Sequence, residues 1–177
     1  MPLQLHDKQF IPFISESEVE KAVSAIAVRL NKDLKDKNPL FLGIMNGAFI
    51  FAADLIRNFD GNCEVSFLKV SSYKGDQSTG QVLQLAGLQE SPENRTVVVI
   101  EDIVDTGNTL EYILHELQKH SPKEIKIATL LLKPGTYKKK MPIHYVGIEI
   151  PDKFIVGYGL DYNGLGRNLK GIYVVTE

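Results

Sequence analysis

The chain has 177 residues, 44% of them hydrophobic, and a formal net charge of -2. That suffices for one domain with a substantial core and lacks the basic excess that general nucleic-acid binding requires. Its single cysteine, Cys63, excludes an intrachain disulfide, the start MPLQLHDKQF lacks a signal peptide's basic head and apolar run, and no apolar stretch is long enough to span a membrane, so a cytoplasmic chain is expected.

Ser15 and Glu18 have capping-box spacing ahead of Val19, Ala22, Val23, Ile26 and Leu30, which predicts an amphipathic first helix. Residues 33–38 form a polar connector. Residues 40–44 form a short apolar strand, Met45 to Ala48 a turn, and Phe49, Ala52, Ala53 and Ile56 fall at helical spacing. Residues 63–70 read as another strand, and Cys63 within it suits a buried thiol. The following residues, through Gly80, are polar, small and aperiodic, as befits a lid or a plain surface loop.

Residues 96–100, TVVVI, are a β-branched run without polar alternation, the pattern of a strand covered on both faces in a parallel sheet. Leu110, Ile113, Leu114 and Leu117 then repeat at the spacing of one helix face. Between strand and helix stand the acids Glu101, Asp102 and Asp105 and the tetrad Thr106, Gly107, Asn108, Thr109. Residues 124–132 read as a buried strand that ends at Lys133, and Lys138, Lys139 and Lys140 as a solvated basic turn. Gly157, Gly159, Gly164 and Gly166 crowd together, but their spacing misses the dinucleotide fingerprint, and no phosphate loop ending in Gly-Lys-Ser/Thr occurs. A nicotinamide cofactor is therefore not expected. Residues 172–176 supply a last short strand, and the scattered His6, His115, His120 and His144 argue against a zinc site. Helices alternating with apolar strands imply an α/β fold around a mainly parallel sheet with right-handed crossovers.

The stretch 97–110, VVVIEDIVDTGNTL, carries most of the chemistry. Small residues between a strand's carboxyl end and a helix's amino end leave backbone N–H groups free to hold a phosphate. Three carboxylates beside such a turn would repel an anion unless they bind sugar hydroxyls, hold a divalent metal or take up a proton. A phosphorylated sugar with Mg2+ resolves the conflict.

A hydrophobic strand, two acids, two apolar residues and an Asp-Thr-Gly turn resemble the signature of the type I phosphoribosyltransferases. Residues 68–80, LKVSSYKGDQSTG, are similar to the mobile loop of the 6-oxopurine branch, in which the pair matching Ser72 and Tyr73 closes over the reacting centre. The turn at Met45, Asn46 and Gly47 resembles the family's pyrophosphate loop, whose peptide at Met45-Asn46 can be cis. Residues 150–167, IPDKFIVGYGLDYNGLGR, resemble its hood.

The resemblance implies a single domain over residues 1–177, with a core at about 34–150 and a hood from about 151–177 plus part of the amino-terminal segment. It implies transfer of phosphoribose from phosphoribosyl pyrophosphate to N9 of hypoxanthine or guanine. Asp105 would accept the purine N7 proton, and Thr106, Gly107, Asn108 and Thr109 would hold the 5-phosphate. Glu101 and Asp102 would hold the ribose hydroxyls directly or through metal-bound water. Lys133 would donate to purine O6, Phe154 would stack on the base, and the Ile155 backbone would read its edge, with the C2 substituent also read around Asp161. Asp161, with Glu101 and Asp102, would bind Mg2+, and Arg167 would contact pyrophosphate. Asn46 and Asn108 stand where some relatives carry basic residues, so backbone donors would do more of the binding. Relatives commonly form dimers or tetramers, with the helix at residues 48–57 as an available surface; no nucleic acid or membrane is implied. The alternatives are a xanthine-preferring enzyme and a non-catalytic sensor of phosphoribosyl pyrophosphate.

Overall fold

The computed structural model describes residues 2–73, 82–86 and 88–176, of which 71–73 and 82–86 by their backbone. The first elements are β1 (Leu3–Leu5), β2 (Lys8–Ile14), α1 (Glu16–Leu34), β3 (Leu40–Met45), α2 (Phe49–Arg57), β4 (Glu64–Tyr73) and β5 (Val82–Ala86). There follow β6 (Thr96–Val104), α3 (Asn108–Gln118), β7 (Glu124–Leu132), β8 (Tyr145–Glu149), β9 (Ile155–Val156) and β10 (Ile172–Val175). Among the described residues, no helix is long and apolar enough to cross a membrane.

One sheet has the order β5-β4-β3-β6-β7-β8. Its pairings from β4 through β8 are parallel, and only β5 runs antiparallel, against β4. The expected α/β fold around a mainly parallel sheet is what forms. Its central strands are buried on both sides: Leu40, Leu42, Val97 and Val99 face one layer, and Phe41, Val98 and Ile100 face the other. Such strands need no polar alternation, which is why TVVVI and LFLGI read as continuous apolar runs.

The capping box at α1 is complete, with Ser15 Oγ accepting from Glu18 N and the Glu18 side chain accepting from Ser15 N. The helix buries Val19, Val23, Ile26 and Leu30 as its spacing predicts, and it runs into the start of the expected connector, as far as Leu34. On the opposite face of the sheet, α3 buries Leu110, Ile113 and Leu117.

Two readings need correction. The buried face of α2 is Phe51, Ala52 and Leu55, while Phe49 is 40% exposed and Ala53 is exposed. The helix is apolar nearly all round, so several faces satisfy the helical period, and packing against β3, β6 and α1 selects one. The strand expected at 63–70 instead extends to Tyr73, because its polar end pairs with β5 in the register Ser72↔Leu83 and Tyr73↔Val82. The side chains of Ser72 and Tyr73, and most of the loop expected to act as a lid, lie outside the described residues.

A second, antiparallel sheet has the order β1-β2-β10-β9 and joins the two ends of the chain. Leu5, Phe10 and Val156 form its own small core.

Candidate active site

Strand order places the site. From β3 the chain moves outward to β4 and β5, then returns to the other side of β3 for β6, β7 and β8. The carboxyl ends of β3 and β6 therefore flank a topological switch point, where open α/β sheets leave a crevice. A cleft of about 320 Å³ opens there, lined among others by Gly47, Asp102, Asp105, Lys133, Phe154 and Arg167. A smaller hollow of about 100 Å³ shares Ile103 and Asp105 with it and is lined by Glu101 and residues 103–110. A roomier groove of about 450 Å³ at the amino-terminal end of β7 gathers none of these residues.

The hollow has the form expected of a phosphate turn. Gly107 is the N-cap residue of α3 in the left-handed region, at φ 82°, and no side chain caps the helix. Asn108 N donates to Thr106 Oγ1 at 3.4 Å. The basic turn nearby is less solvated than its composition suggests. A Cβ on Gly107 would touch Lys139 Cγ and the Tyr137 ring, and Lys139 Nζ pairs with Glu111 in the first turn of α3 at 2.7 Å.

Glu101 and Asp102 lie within β6 rather than beyond it, on the strand's last turns of the ladder. Glu101 is 7% exposed, and burial first, then the Asp102 charge, pushes its carboxyl well above the ordinary range. Burial also raises Asp102, to about 6, with Asp161 adding to the rise and the Ile103 N–H and Arg167 opposing it. Asp102 Oδ1 accepts from Ile103 N at 2.8 Å, and its other oxygen packs on Gly47 so closely that a Cβ there would collide with it. Two neighbouring carboxyls that ionise with difficulty are poised to be neutralised by a cation.

Lys133 follows β7 directly, as its strand pattern predicts, and its amide donates to Val104 O at 3.0 Å. Its stem is buried, and Nζ donates to Asp105 Oδ2 and to Asp152 Oδ1, each at 2.9 Å. Burial alone would lower the Lys133 pKa, but the two carboxylates outweigh it and keep the ammonium charged. Partial burial would raise Asp105, yet the neighbouring Thr136 hydroxyl and Lys133 outweigh that and hold it below the usual carboxylate value.

The far wall comes from the segment between β8 and β10. Phe154 is 46% exposed and is backed edge-on by Tyr162, with centroids 5.6 Å apart, and by Phe10 at 6.2 Å. Ile155 lies beside it, paired with Val174 in the β9–β10 ladder. Arg167 is held twice, donating to Gly159 O at 2.6 Å and pairing with Asp161 Oδ1 at 2.7 Å. Asp161 Oδ2 accepts from Gly164 N at 2.6 Å. Gly159, at φ 101°, rests directly on Gly47 O, so the segment after β9 and the turn after β3 meet through two glycines with no room for a side chain between them. The crowding of glycines after Val156 has this origin: tight turns closed by the bridges Gly157↔Leu160 and Tyr162↔Leu165.

Gly47, Asp102, Asp105, Lys133, Phe154, Ile155, Asp161 and Arg167 thus share one cleft, and Glu101, Thr106, Gly107, Asn108 and Thr109 line the hollow beside it. Met45 ends β3 and Asn46 is exposed beside the cleft; the peptide joining them is cis. Among the described residues, no three acidic, His or Cys side chains are gathered into a metal cage, so Glu101, Asp102 and Asp161 do not form one by themselves. One or two carboxylates plus substrate phosphates are the usual Mg2+ environment, and the hard-to-ionise Glu101–Asp102 pair fits that role. Sequence reasoning missed Asp152, the action of Thr136 on Asp105 and the link from Tyr158 Oη to Asp54 Oδ2 at 2.6 Å, because each acts across a distance in the chain that no local pattern encodes.

Residues 15–163 match the phosphoribosyl transferase domain family. The chain belongs to the phosphoribosyltransferase family. A hypoxanthine-guanine phosphoribosyltransferase of Bacillus subtilis is 42% identical over 171 residues, covering 96% of this chain and 94% of that protein. Another from Staphylococcus epidermidis is 43% identical over 160 residues, covering 90% of this chain and 89% of its own. A crystal structure of a hypoxanthine phosphoribosyltransferase from Staphylococcus aureus superposes with a TM-score of 0.86 at 37% identity, covering 94% of this chain and 91% of that one. These relatives put the chain in the hypoxanthine-guanine branch of the family.

Proposed function

We propose that this chain transfers the 5-phosphoribosyl group of phosphoribosyl pyrophosphate to N9 of hypoxanthine or guanine, forming the nucleotide and releasing pyrophosphate in purine salvage. The observation that carries this reading is the cleft itself, which sets a cation and a carboxylate, Lys133 and Asp105, beside an exposed aromatic face, Phe154. It continues into a turn whose backbone suits a phosphate.

Residues 106–109 hold the 5-phosphate, and Glu101 and Asp102 face the ribose hydroxyls. Phe154 stacks on the base while Lys133 donates to O6, a polar pairing that favours a 6-oxo ring over adenine. When Lys133 turns to the base, Asp105 keeps the Thr136 hydroxyl but loses the cation that also depresses its pKa, and becomes the stronger acceptor for the N7 proton as N9 attacks. Met45, Asn46, Gly47 and Arg167 receive the departing pyrophosphate, Arg167 through a planar fork suited to two oxygens. Glu101, Asp102 or Asp161 would hold Mg2+, whose charge would offset that of the pyrophosphate and so favour its departure. Closure of the Ser72–Tyr73 segment would keep water from the activated ribose. A cytoplasmic location, a homodimer or homotetramer, and one domain divided into a core and a hood belong to the same proposal and follow from the family resemblance.

The test is pyrophosphate release from phosphoribosyl pyrophosphate and Mg2+ with hypoxanthine, guanine, xanthine and adenine in turn. Turnover with hypoxanthine or guanine is expected. Turnover with adenine alone, or with no base, would overturn the proposal.

A further inference from the structure

The Lys133 ammonium joins two separate loops. Its partner Asp105 belongs to the loop after β6, whereas Asp152 lies in the turn between β8 and β9, beside Phe154. The lysine side chain is 9% exposed, and the Asp105 and Asp152 side chains are 44% and 64% exposed. The buried stem fixes where the head emerges, and the two carboxylates fix where it points.

This arrangement sets a problem for the reaction proposed above, on which the present inference rests. Lys133 must leave Asp105 if that carboxylate is to accept a proton, and it must still arrive, charged and oriented, at a carbonyl oxygen. A lone Asp105–Lys133 pair would resist both demands, since each partner is the other's main counter-charge. Asp152 changes the balance. It competes for the same ammonium with an equal 2.9 Å bond, so release from Asp105 leaves the head paired. The N–H released from Asp105 is then available to the ligand.

We infer that Asp152 is the positioning residue for the purine pocket: it retains the Lys133 ammonium while the 6-oxo oxygen replaces Asp105 as its second partner. The carboxylate does not touch the base. It acts through the lysine and sets how tightly the enzyme takes a 6-oxopurine.

Steady-state kinetics of Asp152→Ala, Asp152→Glu, Lys133→Ala and the double variant Lys133→Ala/Asp152→Ala test this. Asp152→Ala is expected to raise KM for hypoxanthine and guanine about tenfold, the usual worth of a charge-assisted hydrogen bond, and to leave KM for phosphoribosyl pyrophosphate within about twofold. Asp152→Glu should recover most of that loss, and the double variant should bind base no worse than Lys133→Ala. An unchanged KM for base in Asp152→Ala overturns the inference, as does an equal rise in both KM values or a further loss in the double variant. Failure of the purine pocket and failure of the Asp152 role give different outcomes. If Lys133→Ala turns over with an unaltered KM for base, the assignment of Lys133 to the purine fails, and the inference with it. If only Asp152→Ala is without effect, the pocket stands and Asp152 has no part in it. The exposed position of Asp152 lets a thermal melt confirm that its variants remain folded.

Discussion

Asp102→Asn should stabilise the protein when divalent metal has been removed, and only above a definable pH. In the fold the Asp102 carboxyl is raised from 3.8 to about 6, chiefly by burial. A folded-state pKa above the unfolded value means that the native protein holds a proton that the unfolded chain gives up, so stability falls as pH climbs from about 4 to beyond 6. At roughly 1.4 kcal/mol for each tenfold change in the proton equilibrium, the ionised group costs up to about 3 kcal/mol at neutral pH. Asp102 keeps an edge toward solvent, so the smaller half of that range is expected. Asparagine retains the Oδ1 acceptor for the Ile103 amide and carries no charge against Glu101. For a domain of this size each kcal/mol moves Tm by about 2–4 °C. Thermal melts of chelator-treated protein at pH 4 to 8 should therefore show the variant and the parent nearly coincident at pH 4. The variant should lead by roughly 3–6 °C at pH 7.5. A Tm difference that does not change with pH, or one that favours the parent at pH 7.5, would refute the argument that burial strains this carboxylate.

Two further outcomes follow from the same site. Asp105→Asn should lower turnover roughly 100-fold or more, the size usual for general-base catalysis, with the stabilisation of the fold by phosphoribosyl pyrophosphate preserved; unaltered turnover would remove Asp105 from the proton transfer. Gly159→Ala should cost about 1–3 kcal/mol of stability, because it adds a Cβ at φ 101° and drives it into Gly47 O. Its displaced turn should also raise KM for phosphoribosyl pyrophosphate more than KM for base, and a Tm and KM matching the parent's would mean that the joint gives way freely.

What the sequence revealed, and what it hid, divides by range. Residues 96–100 and 124–132 announced their strands because a doubly buried strand has no polar positions to blur the signal, and Ser15 with Glu18 announced the start of α1 because a capping box is closed within one turn. The turn between β6 and α3 was legible for the same reason, its parts being contiguous from Glu101 to Leu110. The face of α2 was not, since FIFAADLI offers the core several equivalent stripes. Nor was β5, whose only cue is the partner that pairs with it. Asp152 looks like any acid in a turn after proline until Lys133, 19 positions earlier, is seen beside it.

The charge balance of the cleft explains how these pieces act together. Lys133 is shared by Asp105 and Asp152, and Arg167 is held by Asp161 and Gly159 O. The resting site thus neutralises these two cations itself, and neither stands ready as an unpaired attractor for any passing anion. A substrate gains their hydrogen bonds only by exchanging them for the internal ones, which returns little net energy for charge alone. In the proposed reaction, what tips the exchange is simultaneous occupation: a base oxygen at Lys133, a phosphate on the neutral amides near Gly107, and a counter-ion for the reluctant pair Glu101 and Asp102. A simple phosphate would satisfy one of these and leave the others unmet, so selectivity for a phosphorylated sugar together with a 6-oxo base follows from the number of exchanges that must be made at once.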